Sequence, residues 1–237
     1  MKLVLCSGFT EGRGFAPFLV SLNDTMRALQ EARIPAEFWA VQNAAYVDDM
    51  RNAFVARFLK TDATHLVFLD YDMEWRPEGF TRLLTADVPI VAGTYRVKNA
   101  WNRWTAVLKS EDGQPLGVKR RDGDGFLIEA EQLAMGFTCI KREVFEHMRD
   151  AAPDDWYMQG DGEDALQCHD WFTRIREGRM HYGEDYAFSL RWKRLGGQMW
   201  VDPNITLWHW GLKGWRGNQH EEWIDRQEVA ARLGVAV

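Results

Sequence analysis

Asp70-Tyr71-Asp72 follows directly on the apolar run Leu66-Val67-Phe68-Leu69. Alternate residues of an extended segment point to the same side, so both carboxylates can face one ion. Hard oxygen ligands suit Mg²⁺ or Mn²⁺, and the task of such an ion would be to neutralise a diphosphate. An Asp-x-Asp alone also reads as a solvated turn; its place at the end of a buried run favours a site. Glu184-Asp185 follows Gly183 at the start of a helical pattern. Capping and the helix dipole already favour an acid there, which accounts for one carboxylate better than for two. His209 stands between Trp208 and Trp210 and ahead of Gly211. A lone histidine is usually structural, but in this setting it could add a softer ligand that favours Mn²⁺.

These residues need a scaffold, and the first half of the chain describes one. Lys2 to Cys6, Ala36 to Val41, Leu66 to Leu69 and Pro89 to Gly93 are short apolar strand candidates. Between them lie helical patterns: Pro17 opening Phe18-Leu19-Leu22-Met26-Leu29, Ala44 to Leu59 with Val47, Met50, Phe54, Val55 and Phe58, and Pro77 to Leu84. Strand-helix alternation with fully apolar strands predicts an α/β fold, a mainly parallel central sheet with helices on both faces. Ligands of such sheets bind beyond the carboxyl ends of the strands, where Asp70 lies.

From Tyr95 to Glu131 the character changes to Lys, Arg, Asp and Gly, with hairpin signals at Asp112-Gly113 and Asp122-Gly123. This predicts a small antiparallel subregion. Leu133 to Ile140 then reads as a strand, Glu143 to Met148 as a helix, and 151–183 as a polar, mobile loop over a site. Asp185 to Leu195 is helical and stops at Gly196-Gly197. Met199 to Val201 and Ile205 to Trp208 are late strands, and His220 to Leu233 a closing helix. The division expected is a single 1–237 domain, with a 1–94 nucleotide-binding half, a 95–217 acceptor half and a 218–237 helix.

Composition narrows the function classes. With 46% hydrophobic residues the chain can bury a real core, and its net charge of -6 does not advertise a polyanion partner. The first residues are apolar for too short a stretch to be a signal peptide, and no run approaches the roughly 18 apolar residues of a membrane span. Cys6, Cys139 and Cys168, odd in number and scattered, fit reduced thiols in a cytoplasmic setting. Gly8, Gly12 and Gly14 make neither a dinucleotide fingerprint nor a phosphate loop. Contiguous Cys168-His169-Asp170 is no triad, because triad members converge from separate segments.

The linked motifs, from Thr64 to Asp72, Val88 to Gly93, Met135-Gly136-Phe137, Gly183-Glu184-Asp185 and Leu195-Gly196-Gly197 to Trp208-His209-Trp210-Gly211, resemble the GT-A glycosyltransferases, especially bacterial and phage enzymes of the inverting family-2 type. The resemblance spans roughly Met1 to Gly217. It implies a metal-dependent transferase that moves a sugar from a nucleoside-diphosphate sugar, with uridine diphosphate first among donors, to an acceptor hydroxyl, with inversion expected and retention the open alternative. It implies Mn²⁺, or Mg²⁺, held by Asp70, Asp72 and His209. Asp185 then matches the general base, with Glu184 its neighbour. Ser7, Gly8 and Thr10, Arg51 and Asn52, Tyr71, Lys98, Trp101 and Gly136 fall at nucleotide- or donor-holding positions. Trp75 is bulky for a place near the donor.

Two other readings share these features. A sugar-nucleotidyltransferase is faintly echoed by Gly12-Arg13-Gly14, but no Pro-Lys follows. A non-catalytic glycan-binding protein would use the 12 tryptophans, five of which (Trp200, Trp208, Trp210, Trp215, Trp223) crowd the C-terminal region. The acceptor stays open among a glycan, a lipid-linked sugar, a protein and a hydroxylated base of phage DNA. The basic residues Lys98, Arg103, Lys109, Lys119, Arg120 and Arg121 keep DNA in view, while the acidic total speaks against it.

Overall fold

Full burial makes strands of the apolar runs: in β1 (Leu3–Phe9), Leu3 and Leu5 pack on one face of the sheet and Val4 and Cys6 on the other. A computed structural model describes residues 1–9, 12–43, 45–98, 103–111, 114–115, 117–120, 125–211 and 214–224. β1 leads through α1 (Ala16–Glu31), which has Pro17 in its first turn, to β2 (Ala36–Gln42). There follow α2 (Val47–Leu59), β3 (His65–Leu69), β4 (Met73–Trp75), α3 (Pro77–Leu84) and β5 (Ile90–Ala92). Acids Asp48 and Asp49 sit in the first turn of α2, where the helix dipole favours them.

The middle segment holds β6 (Val107–Leu108), β7 (Ser110–Glu111), β8 (Gln114–Pro115) and β9 (Val118–Arg120), all antiparallel as their turn signals predict. The turns themselves, Asp112-Gly113 and Asp122-Gly123, lie outside the described residues. β10 (Phe126–Gln132) is more than this segment's edge, because it pairs with the central sheet and buries Leu127 and Ile128. The expected strand over Leu133 to Ile140 starts later, as β11 (Phe137–Lys141), with Leu133 and Met135 buried in the preceding turn. α4 (Arg142–Ala151) follows.

The polar 151–183 stretch is not one loop. It forms the hairpins β12 (Trp156–Gln159)/β13 (Leu166–His169) and β14 (Ile175–Glu177)/β15 (Met180–Tyr182). Between them Trp171 and Phe172 enter the core, and Phe172 stacks on Phe188 with ring centroids 4.6 Å apart. α5 (Glu184–Arg194), β16 (Met199–Val201), β17 (Leu207–Trp210) and β18 (Gly214–Gly217) complete the order. α5 ends at Gly196, whose φ of +81° suits glycine. Helix is described from Gln219 to Ile224; the rest of the expected closing helix lies outside the described residues.

Among the described residues the central sheet runs β2-β1-β3-β11-β5-β16-β10-β6, with β9 beside β10. β2, β1, β3, β5 and β16 share one direction, and β11 enters antiparallel between β3 and β5. α1 and α3 cover one face through Phe18, Leu22, Phe80 and Leu83; α2, α4 and α5 cover the other through Phe54, Phe58, Phe145 and Phe188. A separate β18-β17-β4 sheet lies past the end of β3. In β4 the bulky Trp75 turns into the core, against Phe18 and Phe137, and its indole N–H donates to Thr25 at 2.8 Å. Trp75 therefore packs inward. No described helix is long and apolar enough to cross a membrane.

Candidate functional site

Strand β3 ends at Leu69, and the chain must turn at once to enter β4. Asp70 makes that turn: its N–H donates to the Gly136 carbonyl at 2.9 Å and its carbonyl accepts from Met73 N–H at 3.0 Å. Gly136 is required by closeness. A Cβ there would stand 2.6 Å from Asp70 Oδ2 and against the Tyr95 hydroxyl, which itself accepts from Gly136 N–H at 3.1 Å.

Asp72 is fixed by the small sheet, where Trp210 N–H donates to its carbonyl at 2.7 Å and His209 pairs with Met73. His209 Nδ1 lies 2.8 Å from the Arg96 carbonyl, which can only accept, so Nδ1 carries the proton and Nε2 a lone pair. Burial lowers the His209 pKa, against the opposing pull of the Arg96 carbonyl and Asp72, and keeps the ring neutral. Nε2 is 3.6 Å from Asp72 Oδ1, a buried oxygen without a hydrogen-bond partner. The other oxygen, Oδ2, is paired with Lys98. Among the described residues no three His, Cys, Asp or Glu side chains converge as a ready-made metal cage. Yet an orphaned carboxylate oxygen facing a neutral imidazole is a donor set that fits a divalent cation, with further oxygens coming from a phosphate ligand.

Arg51 joins the two ends of the site. It is 3% exposed, and its guanidinium donates to Glu184 Oε1 at 2.9 Å and Asp70 Oδ1 at 3.4 Å. The rings of Phe68 and Phe172 flank it, each with its centroid 5.9 Å away. Asp185 Oδ1 accepts the Tyr186 N–H at 2.9 Å. Desolvation first, then Glu184 and Asp70, push Asp185 up to about 6, with Arg51 opposing. Desolvation also raises Asp70, again against Arg51.

Gly8, Asp70, Tyr71, Asp72, Glu184 and Asp185 line one cavity of ≈ 460 Å³ at the carboxyl ends of β1 and β3. Not every expected position reaches it. Asn52 is 1% exposed; its amide donates to the Tyr157 hydroxyl at 3.1 Å and accepts from Phe172 N–H at 2.9 Å, so it anchors the 156–172 segment instead of facing the cavity. Ser7 is buried behind Gly8, its Oγ without a partner. Thr10 and Trp101 lie outside the described residues. Lys98 reaches Asp72, and Lys109 pairs with Glu129 at 3.0 Å, so part of the basic cluster is already neutralised. Arg121 and the side chain of Arg120 are outside the described residues. Cys168 is a buried thiol pushed up to about 11 by desolvation, which suits packing and not nucleophilic work.

Sequence reasoning missed Tyr46 and Arg174, which line the cavity, and Tyr95, which packs edge-on against His209 at 4.9 Å. Nothing in their local sequence marks them, since each arrives from a loop whose neighbours are set by the fold.

No family model and no curated protein matches the sequence. Solved structures do. GalNAc-T7 with UDP, GalNAc and Mn²⁺ matches with a TM-score of 0.51 at 12% identity, over 88% of this chain and 44% of that one. This chain thus spans less than half the length of that protein, and the likeness is one of fold. The catalytic domain of Drosophila beta1,4galactosyltransferase 7, in complex with xylobiose, gives 0.47 at 12% identity over 94% and 72%. A glycosyltransferase involved in glycosylation of the major capsid of PBCV-1 gives 0.29 at 10% identity over 65% and 69%.

Proposed function

We propose that this chain is a metal-dependent GT-A glycosyltransferase that uses a nucleoside-diphosphate sugar, with uridine diphosphate first among donors, and inverts at the transferred carbon. One observation carries the reading. A single cavity at the strand ends unites the Asp70/Asp72 pair with Glu184 and Asp185, and the unpartnered oxygen of Asp72 faces the His209 lone pair. The fold shared with GalNAc-T7 supports it.

In this reading Asp70, Asp72 and His209 are the residues that would hold Mn²⁺ or Mg²⁺, and the bound ion would supply positive charge to the leaving diphosphate. Phe9, Tyr46 and Tyr71 offer aromatic surface to the nucleobase at the same cavity. Asp185 takes the proton of the acceptor hydroxyl. With Oδ1 holding the Tyr186 N–H, Oδ2 is the oxygen that receives it. The acceptor oxygen bonds to the sugar carbon as the carbon–phosphate-oxygen bond breaks, and the nucleoside diphosphate departs. A pKa near 6 leaves Asp185 charged at neutral pH yet basic enough to accept that proton. Glu184 is held by Arg51, so it shapes the field around Asp185 and does not act as the base itself.

The test is a screen of nucleoside-diphosphate sugars for Mn²⁺-dependent hydrolysis and transfer. Asp72→Asn is expected to lower turnover at least about a hundredfold, the scale of losing one transition-state charge contact, while the melting profile is retained. Normal turnover in Asp72→Asn refutes the assignment. A lectin-like reading fits less well, because among the described tryptophans only Trp156 is exposed. No observation favours a nucleotidyltransferase.

A further inference from the structure

We propose that Lys98 is the resident counter-ion of Asp72, displaced when a divalent cation binds, and that its release couples cation binding to diphosphate binding. The inference rests on the reading of Asp72 as a cation ligand. Lys98 Nζ pairs with Asp72 Oδ2, where the Lys98 side chain is 30% exposed and that of Asp72 14%. On the opposite side Oδ1 has no hydrogen-bond partner and meets His209 Nε2 at 3.6 Å. Both are acceptors, because the proton of His209 is on the nitrogen facing the Arg96 carbonyl. A buried, unpartnered carboxylate oxygen facing an imidazole lone pair is unfavourable, and a cation between them relieves both. Lys98 neutralises the carboxylate from the wrong side to do so.

A divalent ion drawn to Oδ1 and Nε2 therefore meets a carboxylate that already holds an ammonium. The added positive charge repels Lys98, and breaking the pair weakens the cation's apparent affinity. A diphosphate reverses that cost by giving the ammonium a new anionic partner. Side-chain chemistry permits the move for Lys98 and forbids it for Arg51. Lys98 is a point charge on a flexible, half-exposed stem, whereas Arg51 is a planar fork held between two aromatic rings. Linkage then requires that diphosphate raise cation affinity and that cation raise diphosphate affinity by the same factor.

The experiment titrates Mn²⁺ into nucleotide-free wild type, Lys98→Met, Lys98→Gln and Asp72→Asn, reading unbound Mn²⁺ from its EPR signal. Both Lys98 variants are expected to bind Mn²⁺ about fivefold more tightly than wild type, the lower end of typical coupling factors. UDP, corrected for its own Mn²⁺ complex, is expected to raise Mn²⁺ affinity less in these variants than in wild type. Circular dichroism melts check that each variant is folded, and the glutamine variant serves where methionine disturbs the loop. Mn²⁺ binding by the Lys98 variants that equals or falls below wild type overturns the role of Lys98 and leaves Asp72 as a ligand. Failure of wild type and both Lys98 variants alike to bind Mn²⁺, with and without UDP, overturns both.

Discussion

Replacing Arg51 by methionine keeps much of the side-chain volume and removes the charge that ties α2 to the ends of β3 and α5. The Glu184 contact is the shorter of the two, 2.9 Å, and its carboxylate side chain is only 14% exposed. The Asp70 contact is longer, 3.4 Å, but Asp70 is the strongest charged influence on Arg51 and adds to the expected loss. Removing one partner of a buried pair costs about 3–5 kcal/mol, because the carboxylate left behind stays desolvated. Loss of the ring contacts lies within that range. For a chain of this size each kcal/mol shifts Tm by roughly 2–4 °C, so Arg51→Met is expected to melt about 6–20 °C lower. The assay is thermal and urea denaturation in EDTA, so that no bound cation masks the effect. Arg51→Lys retains the charge but can satisfy only one carboxylate, and about half the loss is expected to return. A double-mutant cycle with Glu184→Gln isolates the pair, with a coupling of about 1–3 kcal/mol expected. A loss below about 1 kcal/mol in Arg51→Met, or additive effects in the cycle, refutes the view that this cation braces the site.

Asp185 makes a pH-dependent prediction of opposite sign for stability and activity. Its folded pKa of about 6 lies above the ordinary carboxylate range, so between those values the folded state binds more protons and stability falls as pH rises. Asp185→Asn is expected to stabilise the fold by about 1–2 kcal/mol near neutral pH and by little at about pH 4, while abolishing transfer; urea melts at both pH values check this. In wild type, kcat/KM is expected to fall tenfold per pH unit below about 6, and a flat acid limb would remove Asp185 as the base. Gly136→Ala forces a methyl group against Asp70 Oδ2 and Tyr95, and is expected to weaken Mn²⁺ binding about tenfold or more. Unchanged Mn²⁺ affinity in that variant would separate Asp70 from the cation site.

What local sequence could determine, it did. The strands that end at Leu69 and Ala92, the helices opened by Pro17 and Pro77, and the emergence of Asp70-Tyr71-Asp72 at a strand end all follow from periodicity and turn chemistry. These signals report only that a segment is buried, not what it is buried against. Only tertiary structure decided that β11 enters antiparallel between β3 and β5, and that a polar stretch read as a loop sends Trp171 and Phe172 into the core. The same holds at the site. β4 is three residues long, without a pattern of its own, yet its pairing with β17 carries His209 to Asp72. Arg51 meets Glu184 across 133 positions of chain, and Lys98 meets Asp72 from a loop. Such pairings depend on the summed packing of distant elements, and no residue type at any one position encodes its partner.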